Sequence, residues 1–173
     1  RMAADQGDAN AQYNLGGMYY NGLGVAQDYS AAMKWFRMAA DQRNAEAQFS
    51  LGVMYDDGRG VAQNYSAAMK WHRMAADQGL AQAQGILGFM YFYGKGVPQN
   101  TSEALRWLHK AQAQGFYMAK QGIELIMQAM RETRASQQTN NSSTSPPSAS
   151  PVPIGARVEL HGLKAKPQLN GQY

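Results

Sequence analysis

Apolar and polar residues recur along the first 115 residues of the chain with a period of 36. The stretch MYYNGLGVAQDYSAAMKW at residues 18–35 returns as MYDDGRGVAQNYSAAMKW at 54–71 and as MYFYGKGVPQNTSEALRW at 90–107. Within each unit, two segments carry apolar residues at helical spacing, and a Gly-x-Gly-Val sequence separates them. A fixed period of this length is typical of stacked helical repeats. The pattern therefore predicts an all-α fold, an alpha-alpha superhelix or solenoid of antiparallel helix pairs.

The repeat and a later change in composition divide the chain into three predicted segments. The first is the solenoid, with the second half of a repeat at 1–7, full repeats at 8–43, 44–79 and 80–115, and a capping helix at 116–134. Residues 135–153 are rich in Ser, Pro and Asn, which predicts a disordered linker. Residues 154–173 alternate like a strand and contain an Asn-Gly turn signal, which indicates the truncated start of a small SH3-like β module.

Turn and capping residues mark the ends of the predicted helices. Glycine suits a chain that leaves a helix through positive φ. The loop glycines in question are Gly22, Gly24, Gly58, Gly60, Gly94 and Gly96. Asp28, Asn64 and Asn100 are favoured N-caps for the second helix of each unit, and Glu103 stands where a capping box with Asn100 requires it. Asp8 and Asn44 can cap the next first helix almost without a linker, so successive helices must run antiparallel.

A comparison of the three units divides the first helix into a constant face and a variable face. The constant positions are predicted to pack against neighbouring helices, and in the second helix Ala32, Trp35 and Ala39 follow the same logic. The remaining predicted structural residues are Leu15, Gly16, Tyr19, Leu51, Gly52, Tyr55, Trp71, Leu87, Gly88, Tyr91 and Trp107. We expect each Trp to fill the core, so that Trp71→Ala costs about 3 to 5 kcal/mol of stability.

These motifs resemble the Sel1-like repeat family, which is related to the tetratricopeptide repeats. The matching pattern is A-x-A-Q-x-x-L-G-x-M-Y, then G-x-G-V-x-Q-[DN], then A-x-x-W and A-A-D-Q-G, and it covers residues 1 to about 115. A tetratricopeptide unit has 34 residues and an ankyrin unit 33, so neither fits. The resemblance implies a right-handed superhelix that binds proteins or peptides. It carries over no catalytic residue and no cofactor.

The variable face of the first helices is the candidate partner-binding surface. Its residues are polar in the first unit, acidic in the second and apolar in the third. The candidate residues are Asn14, Gly17, Tyr20, Asn21, Phe49, Val53, Asp56, Asp57, Ile86, Phe89, Phe92 and Tyr93. We expect a partner segment to lie along this face, with Phe89 and Phe92 as apolar anchors. Packing against the capping helix or the tail is the alternative for the third unit.

The expected function is that of a protein-protein interaction scaffold or adaptor, whose partner is a protein or peptide. Two alternatives are a regulatory or targeting arm of a larger enzyme and an RNA-binding helical repeat. Residues 1–134 contain 13 Lys and Arg against 11 Asp and Glu, so a nucleic-acid partner is not expected. The sequence contains no run of about 18 apolar residues, and no membrane segment is predicted.

Neither a catalytic centre nor a metal site is expected. The chain contains no Cys, and His72, His109 and His161 lack the spacing of metal ligands. Ser30 and Ser66 precede a Lys by four residues, whereas the S-x-x-K motif requires three. The chain is therefore expected not to be an enzyme.

The cellular location is left open by the sequence. The first residues match the end of a repeat, which suggests that targeting information precedes them. The cytoplasm is favoured, and secretion or the endoplasmic reticulum lumen is the alternative. Glycosylation sequons at Asn64, Asn100, Asn140 and Asn141 would fit that alternative, although Asn64 and Asn100 already serve as predicted helix caps.

Overall fold

The computed structural model describes residues 2 to 141, with side chains up to residue 138. The described residues form eight α-helices and no strand. The helices are α1 Met2–Asp5, α2 Ala9–Asn21, α3 Tyr29–Asp41, α4 Ala45–Asp57, α5 Tyr65–Asp77, α6 Ala81–Tyr93, α7 Thr101–Ala113 and α8 Tyr117–Asn141. Each helix packs against the next, so α2/α3, α4/α5 and α6/α7 are three helix pairs of one solenoid. The predicted all-α fold is confirmed.

The predicted N-caps hold the starts of the helices. The side chains of Asp28, Asn64 and Asn100 each accept a hydrogen bond from the backbone N–H three residues later, at 2.9 to 3.0 Å. Asp8 and Asn44 do the same for α2 and α4. The capping box at Asn100 forms only in part, because the carboxylate of Glu103 pairs with Arg106 at 3.1 Å.

The Gly-x-Gly-Val loops close the first helix of each pair in the same way. Gly22, Gly58 and Gly94 are left-handed C-caps with φ of 70°, 69° and 68°. The Gln five residues later donates through its side chain to a carbonyl in the last turn, as Gln63 Nε2 does to Asp56 O at 2.7 Å. The N–H of Asn64 also donates to Tyr55 O, so the loop satisfies the end of one helix while starting the next.

Within each pair the two helices meet at a glycine of the first helix. A Cβ added to Gly52 would lie 2.5 Å from the His72 ring, and the equivalent glycines of the other pairs face Phe36 and Leu108. These three side chains are at most 1 % exposed. The expectation that every Trp fills the core was wrong in this respect. In all three pairs the residue after the Trp, and not the Trp itself, occupies the space under the glycine. Trp107 is nevertheless buried, at 2 % exposure, whereas Trp35 and Trp71 are partly exposed.

Successive pairs are joined by a glutamine ladder, which we define as Gln12, Gln48 and Gln84 with their hydrogen-bond partners. Gln48 is 1 % exposed and donates to Ala40 O of the preceding repeat at 3.2 Å. It accepts a hydrogen bond from Gln78 of its own repeat at 2.7 Å. Gln12 and Gln84 make the same two contacts in their repeats. Each buried amide is therefore paired, as stability requires, and the pairing fixes the stacking of one repeat on the next.

The second helices of successive pairs are connected by long side chains. Arg37 lies 4.7 Å above the Trp71 ring and donates to the Tyr55 hydroxyl. Arg73 lies 5.1 Å above the Trp107 ring and donates to the Tyr91 hydroxyl. A guanidinium stacked on an indole is a favourable cation–π contact.

The helix α8 occupies the place of a fourth first helix. Ala119 and Ile126 are fully buried, so the packing face continues as predicted. At the glutamine-ladder position the chain carries Lys120, and both Lys120 and Glu124 are exposed. The helix continues to Asn141, although the sequence analysis ended it at residue 134. No Pro or Gly interrupts residues 135–141, so the helical pattern is not broken there. The rest of the predicted linker and the β-like segment 154–173 lie outside the described residues.

Candidate partner-binding surface

The helices of the three pairs form two layers. The first helices α2, α4 and α6, followed by α8, form one layer, and the second helices α3, α5 and α7 form the other. Of the first-helix layer, α6 and α8 are in direct contact, whereas arginine side chains bridge the second helices. We call the two layers the inner and the outer layer.

Six of the twelve candidate partner-binding residues are buried inside the solenoid. These six are Gly17, Tyr20, Phe49, Val53, Ile86 and Phe89. They lie between neighbouring helices, and their variability reflects how each repeat fits its neighbours. Burial removes them from direct contact with a partner in this conformation.

Phe89, expected to be an apolar anchor, is covered by α8. It is 5 % exposed, and a Cβ added to Gly122 of α8 would lie 2.7 Å from its ring. Phe116, just before α8, fills the space beside Gly85 in the same manner. Apolar residues of the third repeat thus pack against α8. This is the alternative that the sequence left open for the third unit.

The other six candidate residues are exposed or partly exposed. Asn14 is exposed, and the remaining five occupy the last two positions of the first helices. We call these five the helix-end row, which consists of Asn21, Asp56, Asp57, Phe92 and Tyr93. Because the first helices of the pairs run in the same direction, the row lies along one edge of the inner layer.

Arg59 connects the middle of the row to the first repeat. Its guanidinium donates to the Tyr20 hydroxyl, lies 5.4 Å from the Tyr20 ring and approaches the Asp57 carboxylate at 3.5 Å. Burial raises the pKa of Tyr20, and the Arg59 charge opposes that rise. Arg59 was not among the residues predicted from the sequence, because it stands at the variable position inside the Gly-x-Gly loop. The aromatic residues that it covers belong to the preceding repeat, and no local motif reveals that contact.

The third repeat contributes an aromatic pair to the row. The rings of Phe92 and Tyr93 meet edge to face, with centroids 4.9 Å apart. The Tyr93 hydroxyl is buried and has no hydrogen-bond partner among the described residues, and burial raises its pKa. Phe92 and Tyr93 are both partly exposed, so the pair offers aromatic area at the surface.

Titratable groups elsewhere do not assemble into a reactive site in the part of the chain that the structure describes. Residues 2–141 contain no group of three His, Asp or Glu residues that could hold a metal ion. His72 is 1 % exposed between α4 and α5, and burial alone lowers its pKa to about 3. It therefore remains neutral at physiological pH and serves as a packing residue.

A family model described as Sel1 repeat matches residues 9–44, 45–80 and 81–116, together more than half of the chain. The chain thus belongs to the Sel1 repeat family. Proteins of this family are repeat scaffolds that are generally non-catalytic and generally mediate protein-protein interactions. Among the described residues, no helix is both long and apolar enough to cross a membrane.

Solved structures give the same assignment. The chain is 40% identical to a Sel1 repeat protein from Oxalobacter formigenes, with a TM-score of 0.67, over 71% of this chain and 92% of that one. It is 42% identical to a protective antigen from uropathogenic Escherichia coli strains with an SLR fold, with a TM-score of 0.65, over 66% of this chain.

This chain spans only 24% of the length of the Escherichia coli protein. Cysteine rich protein B of Helicobacter pylori shares the fold at 21% identity and a TM-score of 0.56, over 64% of this chain and 86% of that one. A comparison with curated protein sequences found no match.

Proposed function

We propose that this chain is a scaffold or adaptor protein that binds a segment of a partner protein along the helix-end row. The observation that carries the proposal is the aromatic pair of Phe92 and Tyr93, which stays partly exposed while Phe89, one turn earlier, is covered by α8. Partly exposed aromatic residues next to polar ones are typical of protein-protein contact sites. Membership of a family that generally mediates such interactions supports the same function.

The composition of the row favours a particular kind of partner segment. The partly exposed rings of Phe92 and Tyr93 suit an aliphatic or aromatic side chain. One repeat earlier, Asp56 and Asp57 add two acidic side chains, and Arg59 approaches the Asp57 carboxylate at 3.5 Å. We therefore infer a segment in which an apolar residue stands near Lys or Arg.

Two substitutions in the row test this proposal against a matched control on the outer layer. Phe92→Ala removes the apolar contact, and Asp56→Lys reverses a charge at a partly exposed position. Met74→Ala is the control, since Met74 is 45 % exposed on α5. The full chain and the three variants are used as bait in quantitative pull-downs, and circular dichroism checks that each variant folds.

The expected result is a set of proteins that the parent chain and Met74→Ala retain and that both row variants lose. Asp56→Lys is included as a second variant because Asp56 does not belong to the hydrophobic core clusters, so the substitution should leave the fold intact. Retention of the same proteins by both folded row variants would exclude the row as the binding surface.

A further inference from the structure

Charge is separated between the two layers of the solenoid. The first helices α2, α4 and α6 carry three acidic residues and no Lys or Arg, whereas the second helices α3, α5 and α7 carry six cationic residues and three acidic ones. The acidic residues of the first helices are Glu46, Asp56 and Asp57. The cations of the second helices are Lys34, Arg37, Lys70, Arg73, Arg106 and Lys110, and their acids are Asp41, Asp77 and Glu103. The formal net charge of the whole chain, +4, does not reveal this separation.

The repeat period aligns the exposed cations of the outer layer into a row. Lys34, Lys70 and Arg106 occupy the same position in three successive second helices, and all three are exposed. In the part of the chain that the structure describes, Lys34 and Lys70 form no ion pair, while Arg106 pairs with Glu103. The two exposed lysines, one repeat apart, add positive potential to the outer layer.

A second row of the outer layer is apolar. Met38 and Met74 follow Lys34 and Lys70 by four residues, on the same side of α3 and α5, and each is 45 % exposed. The third repeat replaces this Met with Lys110, whose ammonium lies 4.3 Å from the Trp107 ring centroid. We define the outer face as Lys34, Met38, Lys70, Met74, Arg106 and Lys110.

Stacked side chains fill the outer face between its helices at two places. Arg37 stacked on Trp71 fills the space between α3 and α5, and Arg73 stacked on Trp107 fills the space between α5 and α7. A peptide or a nucleic-acid strand would find no cleft at these two places. An extended surface of opposite charge, with apolar material just below it, matches the arrangement better.

We propose that the outer face binds the surface of an anionic lipid bilayer. The lysines and arginines would meet the headgroups, and the two exposed methionines would enter the boundary between headgroups and acyl chains. Asp41 and Asp77, at the last residues of α3 and α5, limit the net charge and predict a weak, reversible attachment. This surface lies on the layer opposite to the helix-end row, so the protein could hold a partner and a membrane together.

Vesicle binding of the full chain tests the proposal. Co-sedimentation is measured with vesicles of phosphatidylcholine alone and with vesicles that also contain phosphatidylserine, at low and high salt. We expect binding only to the phosphatidylserine vesicles and release by salt. The variant Lys34→Gln/Lys70→Gln should bind about 25-fold more weakly, since each lysine near an anionic surface contributes about fivefold.

Matched variants separate this site from general charge effects. Lys120→Gln/Arg131→Gln removes the same charge from exposed positions of α8 and should bind like the parent chain. Met38→Ser/Met74→Ser should weaken binding and leave its salt dependence unchanged. Failure to bind phosphatidylserine vesicles at low salt, or an equal loss in the α8 control, overturns the proposal. Tighter binding to polyglutamate or to poly-uridine RNA than to the vesicles also overturns it, in favour of an acidic protein or a nucleic acid.

These experiments do not depend on the helix-end row. Phe92→Ala and Asp56→Lys should bind vesicles as the parent chain does, so a failure of the proposed function and a failure of the membrane proposal give different results.

Discussion

The second and third repeats have nearly the same backbone and different cores. In both, a glycine of the first helix faces a fully buried side chain of the second helix, but that side chain is His72 in one and Leu108 in the other. The preceding Trp is half-buried in the second repeat and 2 % exposed in the third. The space under the glycine therefore accepts side chains of different polarity. The stability contributions of the two repeats should respond differently to acid and to truncation of the Trp.

The largest expected difference between the two repeats is the effect of acid on their contributions to the free energy of unfolding. The folded pKa of His72 is about 3, below its ordinary value of 6.5, so between these values the unfolded chain binds a proton that the folded chain excludes. The contribution of this group to stability is complete above pH 6.5 and decreases as the pH falls towards 3. The decrease is about 1.4 kcal/mol per pH unit and reaches about 5 kcal/mol.

Urea unfolding from pH 7 to pH 3 measures this effect. His72→Phe supplies the side chain that the first repeat already has at this position, Phe36, and removes the titration. The difference in unfolding free energy between parent and variant should widen as the pH falls. Parallel pH curves for the two proteins would show that His72 is not buried in its neutral form.

Truncation of tryptophan should affect the third repeat more than the second. Trp107→Ala removes a buried side chain and should cost about 3 to 5 kcal/mol of stability. Trp71→Ala should cost about 1 to 3 kcal/mol, because the Trp71 ring is only half-buried, although its contact with Arg37 is lost. Chemical denaturation of both variants at neutral pH gives the comparison, and equal costs would contradict the difference in burial.

Because of the stacking between repeats, substitution of one loop glycine by alanine should be more destabilising than substitution of another. Gly24 and Gly60 share a φ of about 70°, but a Cβ on Gly60 would lie 2.8 Å from Tyr29 O, while Gly24 has only a side-chain methyl at 3.5 Å. Gly60→Ala should cost about 2 to 3 kcal/mol, and Gly24→Ala about 1 to 2 kcal/mol from backbone strain alone. If thermal unfolding gives the same value for both, the close approach of the repeats is not the cause.

The smallest expected effect is a gain of stability. Arg43 has a φ of 65°, at the position where other repeats have Gly7, Gly79 and Gly115. Arg43→Gly should raise the unfolding free energy by about 0.5 to 1 kcal/mol, because a side chain disfavours this conformation. Arg43→Ala is the control, which should show no gain, since alanine also has a Cβ.

The helices and their ends were predictable from the sequence because local chemistry determines them. Asp28, Asn64 and Asn100 cap helices through a bond to a residue three positions later, and Gly58 takes the left-handed conformation that its type favours. Such interactions join residues that are close in the sequence, so the sequence of a single unit is sufficient to predict where its helices begin and end. The repeat itself then extended the prediction to the whole solenoid.

The exposure of the candidate surface was not predictable in the same way. Phe89 and Phe92 are three residues apart on one helix, yet α8 covers the first and leaves the second partly exposed. Likewise, the sequence did not distinguish Trp71, which is partly exposed, from Trp107, whose ring contacts both Arg73 of the preceding repeat and Lys110 of its own helix. The covering of Phe89 is decided by a contact between units, and a periodic sequence leaves such contacts undetermined.

The glutamine ladder bears on how such proteins change length. Each rung joins Gln48 or its equivalent to the repeat before it, and every rung uses the same atoms. Removal of one complete unit would bring Gln84 to Ala40 O, where Gln48 had been, and leave every remaining rung intact. Duplication or loss of a gene segment of 36 codons would thus preserve the hydrogen bonds that join neighbouring repeats. Repeat proteins of different length can arise by that route.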